Sequence, residues 1–346
     1  MAITLVGETA THSSIRFSHE IAVDGDYAYF RSGPTNWANH VLIADVSDPE
    51  NPSIVGDYTG AYSWNYGFAY NPLDEHPFLS SEPNNAVEEI ETSTKSSPTQ
   101  HDTYVSSTYA NDVRRMDVQQ NYLFLAADGT DRMTILDIAD SLQLEGSVAD
   151  GTYLNGCYTV KASNDGNYAF CTSVDGTTYA TSINTSNKAS PTRLDSVVTN
   201  WACSHSALHG NYFMVSGENP GGWQIIDVSD PSNLSVKCTV DEGTLVQWGT
   251  FVTNNVGSVY LFITVYPNCV VYDVTDWTNP VYEETISVYG RAQTIAGDLL
   301  YVPRFNSGAD QTLRIYDISD YTYVPPPPTP PAIRPRGVTL KGVILK

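Results

Sequence analysis

Positive charge is scarce in this sequence. Its 346 residues include six Lys and 11 Arg against 26 Asp and 13 Glu, a formal net charge of −22. Such a surface repels phosphate backbones and anionic lipid, which makes nucleic acid and membrane surfaces unsuitable partners. Long apolar runs are missing too. None reaches the roughly 18 residues that span a bilayer, so membrane insertion is not expected. The opening residues, MAITLVGETATHSS, lack the basic segment and apolar core of a secretory signal. The expected location is therefore a virion or extracellular assembly reached without a signal peptide, with the cytoplasm as the alternative. Cysteine is limited to positions 157, 171, 203, 238 and 269, with no CxxC and no His at zinc spacing. These read as small core residues, without support for a disulfide. No G-x-S-x-G, H-E-x-x-H, Walker loop or dinucleotide fingerprint occurs, and no stretch combines helical period with caps. No cofactor and no metal ligand set is expected.

What the sequence does contain is repetition. VLIADVSDPENPSIVGDYTG (41–60) recurs as MTILDIADSLQLEGSVADG (133–151), WQIIDVSDPSNLSVKCTVDEG (223–243), CVVYDVTDWTNPVYEETISVYG (269–290) and LRIYDISDYTYV (313–324). Two degenerate copies, VEEIETSTKSSPTQ (87–100) and TSINTSNKASPTR (181–193), fill the gaps. Aligning Asp45, Glu89, Asp137, Ser182, Asp227, Asp273 and Asp317 gives steps of 44, 48, 45, 45, 46 and 44 residues. A period of roughly 40–50 is the length of one four-stranded propeller blade. The segments 21–30, 116–127, 164–173, 209–216 and 295–305 each read as apolar run, polar turn and aromatic-rich apolar run, the pattern of a β-hairpin. NPLDEHPFLSSEPNN (71–85) reads instead as a polar surface loop. In D-V-S-D-P-x-N-P an Asp ends the third strand and satisfies turn amides, a structural role that accounts for its recurrence.

The seventh copy stops before any fourth strand, while ITLVGETA (3–10) looks like the fourth strand SIVGDY. The expected fold is all-β: a seven-bladed propeller over residues 1–324, closed by the N-terminal strand. The motif I-x-D-V-S-D-P-x-N-P followed by an apolar strand resembles the LVIVD-repeat β-propellers. It is closest in the first and fifth copies and weakest in the second and fourth. That resemblance implies a propeller of a kind often found on bacterial and archaeal surface proteins, and implies no settled activity.

Beyond Val324 the composition changes. PPPPTPP (325–331) is expected to form a polyproline II linker reaching roughly 20 Å at ~3.1 Å per residue. AIRPRGVTLKGVILK (332–346) carries four basic residues and no acid, leaving 13 basic against 39 acidic residues, or −26, in the rest of the chain. The segment is too short to fold alone and reads as a docking peptide that adds a strand or fills a groove on a protein assembly. Its expected docking residues are Arg334, Arg336, Val338, Leu340, Lys341, Val343, Ile344, Leu345 and Lys346.

Catalytic residues are not expected. Binding residues are sought where the copies differ just ahead of the first strands, which line a propeller's channel. The candidates are His19, Glu20, Arg114, His205, Trp248 and Arg291, with Tyr66, Arg115 and Tyr158 at neighbouring positions. Rings, guanidinium groups and one acid suit an anion, a sugar or a peptide end. The Asp-rich turns 128–137 and 163–168 lack the order of a calcium loop and read as turn chemistry, with structural calcium at a blade corner as the alternative. The 23 Tyr and six Trp supply contact surface for protein or glycan, including a host-surface ligand.

These features favour a non-enzymatic structural or interaction protein displayed through its tail, such as a phage virion decoration, head-fibre or host-attachment protein. One alternative is a lyase or hydrolase acting on glycans in the funnel, which needs His, Arg and acid side chains converging at one mouth. The other is a cytoplasmic or cell-surface interaction scaffold. Fold does not choose among them.

Overall fold

The computed structural model describes residues 3–17, 20–32, 40–60, 67–217, 221–288, 290–304 and 311–323. The linker at 325–331 and the peptide at 332–346 lie outside them.

Alternating apolar residues separated by Gly, Asp and Asn turns fold into seven antiparallel four-stranded sheets. The first strands of the blades are Glu20–Asp24, Phe68–Asn71, Val113–Gln119, Cys157–Ala162, Cys203–His209, Val246–Thr253 and Thr294–Ala296. Each packs on the next, and the seventh packs on the first, so the sheets close a ring around a central channel. Apolar clusters between adjacent blades hold the ring together. Phe78 and Val87 of blade 2 meet Val113, Leu123 and Leu125 of blade 3, for example, all essentially without exposure. Each such side chain contributes about 1.5–3 kcal/mol by leaving water.

The ring is closed by the N-terminal strand, as expected. Thr4–Glu8 pairs antiparallel with Leu313–Asp317, matching Thr4 with Asp317 and Glu8 with Arg314. Thr9 extends the clasp, its amide donating to the Leu313 carbonyl and its hydroxyl accepting from the Leu313 amide, both at 3.0 Å. Arg314 Nε donates to Glu8 Oε2 at 2.8 Å. A single helical turn, Ser319–Thr322, follows. No described helix is long and apolar enough to cross a membrane.

All seven blades share two devices. A residue ending the third strand accepts a hydrogen bond from the amide two positions on: Asp45 from Ser47, Glu91 from Ser93, Asp137 from Ala139, Asn184 from Ser186, Asp227 from Ser229, Asp273 from Thr275 and Asp317 from Ser319. In the degenerate copies the repeated position is therefore Glu91 and Asn184, two residues beyond Glu89 and Ser182. Sequence similarity between those two copies fixed their mutual alignment but not their register against the other five.

The second device is a bulge in the fourth strand, such as the shift from Ile43↔Gly56 to Ala44↔Ile54. The residue after the bulge meets the turn of the next blade. At Gly56 and Gly146 that approach is so close that a Cβ would lie 2.0 Å from the Lys95 carbonyl and 2.2 Å from the Lys188 carbonyl. Asp102 and Asp195 occupy the same place in blades 2 and 4 and latch the next turn by accepting from the Leu142 and Leu234 amides at 2.7 Å.

Segment 71–85 departs from the surface-loop expectation. Asn71 ends a first strand, and His76–Ser81 is a second strand buried along its whole length. The polar letters of HPFLSS conceal it, because its serines are satisfied internally. Ser80 Oγ accepts from the Gly67 amide at 2.8 Å and donates to the Val113 carbonyl at 2.7 Å. The five cysteines are all buried and unbonded to one another, as small core residues are.

Candidate functional site

The channel encloses a cavity of about 620 Å³ lined by the first strands of all seven blades. Chemistry concentrates at the end where those strands begin. Glu20 opens the first strand of blade 1, and Arg115, His205 and Trp248 come from blades 3, 5 and 6. Arg115 Nε lies 3.7 Å from Glu20 Oε1, and Arg115 Nη2 lies 3.0 Å from His205 Nε2. The guanidinium carbon is 5.1 Å from the Trp248 ring and 5.5 Å from the Tyr158 ring. His205 and Trp248 rings are in contact at 3.8 Å between centroids.

These contacts fix protonation. A guanidinium only donates, so His205 accepts through Nε2 and carries its proton on Nδ1. Nδ1 then donates to Ser204 Oγ at 2.9 Å. Burial pushes Glu20 up to about 7, against the opposing pull of Arg115, Arg31, Lys161 and the Phe68 amide. Two residues further along their strands, Lys161 Nζ pairs with Asp117 Oδ1 at 2.9 Å. Burial works against the lysine charge, yet Asp117 outweighs it and the net shift is upward. At the far end the Tyr70 hydroxyl donates to Asp24 Oδ2 at 2.9 Å.

The expected binding residues divide. Glu20, His205 and Trp248 come together with Arg115. Arg114 turns away, its Nε donating to Asp128 Oδ2 at 2.9 Å and its Nη2 to Asp112 Oδ2 at 2.6 Å. Arg291 stacks 5.8 Å from the Tyr266 ring. His19 lies outside the described residues, as do Tyr66 and the nine docking residues from Arg334 to Lys346. The choice between Arg114 and Arg115 is made by a bulge: Val113 pairs with Ala127, but Arg115 with Ala126. The same shift follows Cys157 and Cys203, so Thr159 and His205 stand where Arg115 does. Asp117 and Lys161 were missed by reading only the strand starts; alternation from Arg115 and Thr159 points to them.

The bulge also separates Cys203 from His205. Cys203 is buried, and burial pushes its thiol up to about 12. Cys238 rises to about 11 for the same reason, so neither supplies a thiolate at neutral pH. In the Asp-rich turns, Asp165 accepts from Ser163 Oγ at 2.6 Å and from the Asn167 amide at 3.0 Å, which is turn chemistry.

Ring, clasp and channel define the chain as a seven-bladed β-propeller. More particularly, the LVIVD repeat model matches residues 16–60 and 204–242, the first and fifth copies. No curated protein sequence matches the chain. Similar solved structures include the WD40 β-propeller domain of Doa1, at 12% identity and TM-score 0.67 over 92% of this chain and 97% of that one. The β-propeller domain of Cps50 (Swd1) from Myceliophteria thermophila is 10% identical, with TM-score 0.65 over 91% and 99%. Hydrazine synthase from Kuenenia stuttgartiensis is 11% identical, with TM-score 0.61 over 87% and 92%. At such identities the likeness carries the fold alone, and the set includes an enzyme as well as WD40-type domains.

Proposed function

We propose that this chain is a non-enzymatic interaction protein, an acidic propeller held on a larger assembly by its basic C-terminal peptide. The carrying observation is the separation of charge. Residues 332–346 hold four bases and no acid behind six prolines in seven residues, while the rest of the chain carries −26. In this reading residues 1–324 are the displayed propeller, 325–331 the spacer and 332–346 the anchor. The anchor seats Val338, Leu340, Val343, Ile344 and Leu345 in a partner sheet or groove, with Arg334, Arg336, Lys341 and Lys346 meeting acidic groups. A tailed-phage decoration, head-fibre or host-attachment protein combines these features. A host-surface glycan suits the propeller face, where Tyr212 stacks on Trp277 at 3.9 Å and 16° beside Phe251 and His209. Fusing residues 325–346 to an unrelated soluble carrier tests the anchor. The carrier is expected to co-sediment with phage particles or envelopes from the source culture; a carrier that stays in the supernatant counts against the reading.

A second reading is favoured by one observation, the convergence of Glu20, Arg115 and His205 at one mouth. An acid titrating near neutrality beside an imidazole and a guanidinium is an arrangement used for acid–base work on glycans. Turnover of a uronate-containing polysaccharide that His205→Ala abolishes, with melting unchanged, would establish it in place of the first.

A further inference from the structure

Blade 2 differs from its six neighbours at two buried positions. Where it has His76, the equivalent residues are Tyr27, Tyr122, Tyr168, Tyr212, Tyr260 and Leu299. This follows from registers such as Phe78↔Glu89 and Tyr29↔Ile43. Where it has Glu89, five blades have Ile43, Ile135, Ile225, Val271 or Ile315, and the sixth has Ser182. A packed aromatic–aliphatic pair has been exchanged for an imidazole and a carboxylate, with His76 8% and Glu89 3% exposed. Burying such groups is unfavourable unless something compensates them.

The fourth-strand bulge of this blade falls on His101, between Glu89↔Asp102 and Ile90↔Gln100. Other blades place Val55, Glu145, Leu194, Lys237 or Glu283 at that bulge. Here it brings a second imidazole over the first, ring centroids 4.9 Å apart. His76 Nδ1 is 2.7 Å from Glu89 Oε1, and His76 Nε2 is 3.4 Å from Glu91 Oε2. Ligand atoms of His76, Glu89 and His101 all lie within 4.8 Å of one another. They face a surface cavity of about 380 Å³ that Asp74 and Asp140 also line. Donors on one tetrahedral zinc ion are roughly 3.3 Å apart for bonds of ~2.0–2.2 Å, a spacing that small side-chain rotations reach from here.

From this geometry we propose a first-row transition-metal site in blade 2, with zinc as the reference ion. His76 Nδ1, Glu89 and His101 are its ligands. Two imidazoles and a carboxylate form a set suited to zinc, whereas calcium and magnesium take all-oxygen sets. The ion takes the place of the proton between His76 Nδ1 and Glu89. His76 Nε2–H then donates to Glu91, the carboxylate–histidine–metal arrangement that orients a ligand. The exposed side of the cavity leaves a fourth position for water or for a donor from a partner. Four carboxylates, Asp74, Glu89, Glu91 and Asp140, line the cavity, and a dication offsets part of their charge.

The test uses the full chain, stripped with a chelator and titrated with zinc sulfate in a calorimeter, with melting followed in parallel. One zinc per chain and a raised Tm are expected, while equal calcium does neither. His101→Ala, at an exposed position, keeps the metal-free Tm and weakens zinc binding by about tenfold or more. The double variant His76→Tyr with Glu89→Ile restores the residues of the other blades. It is expected to fold without metal at least as stably as the parent and to lose the zinc response. Zinc binding that is absent, that both variants leave unchanged, or that calcium matches in stoichiometry and Tm shift overturns the site.

Discussion

Arg115 of blade 3 reaches across two blade boundaries to His205 of blade 5, Nη2 to Nε2 at 3.0 Å, while its Nε faces Glu20 of blade 1 at 3.7 Å. One guanidinium therefore ties three of the seven blades together at one mouth of the channel. It also holds His205 in the tautomer with the proton on Nδ1.

Glu20 makes that mouth sensitive to pH. Its carboxyl is raised from 4.5 to about 7 by burial, so the folded chain binds this proton more tightly than the unfolded one. Stability from this group is present below 4.5 and falls as pH rises from 4.5 to about 7, then stays level. Glu20→Gln removes the dependence. Urea unfolding at pH 5 and pH 8 is expected to show the variant gaining roughly 1–3 kcal/mol on the parent between the two. Equal gains at both pH values would refute the assignment.

The closure of the ring makes the first strand essential. Deleting residues 1–9 removes the fourth strand of blade 7 and exposes the edge at Leu313–Asp317. The deletion is expected to lower Tm by more than 10 °C, or to leave an oligomer joined edge to edge, an outcome that sedimentation velocity reads. A monomer melting like the parent would contradict the clasp.

Gly56 and Gly146 allow the turn of the next blade to sit against the sheet. Adding a methyl at either place drives a Cβ onto a backbone carbonyl, at 2.0 Å from Lys95 or 2.2 Å from Lys188. Gly56→Ala and Gly146→Ala should each cost roughly 1–3 kcal/mol in urea unfolding. Gly210→Ala, where no atom lies within 4 Å but φ is +55°, is expected to show only backbone strain of about 1 kcal/mol.

The seven-bladed ring was legible because D-V-S-D-P-x-N and its relatives perform one local task, accepting the amide two residues on, in each blade. Blade 2 was hidden where its side chains abandon the common pattern. His76, Ser80 and Ser81 make a buried strand look like a loop, and the exchange of Ile for Glu89 moved the apparent register by two residues. At the channel, composition pointed to Glu20, His205 and Trp248. The selection of Arg115 over Arg114 depends on a one-residue bulge that alternation alone does not encode.

In the proposed reading the basic terminal peptide anchors an independently folded propeller. The most direct measurement compares the full chain with one ending at Val324, by thermal melting and by co-sedimentation with particles or envelopes from the source culture. Identical melting and loss of sedimentation on truncation are expected. Two chains that sediment alike, or that both remain in the supernatant, would contradict it and shift attention to Glu20, Arg115 and His205.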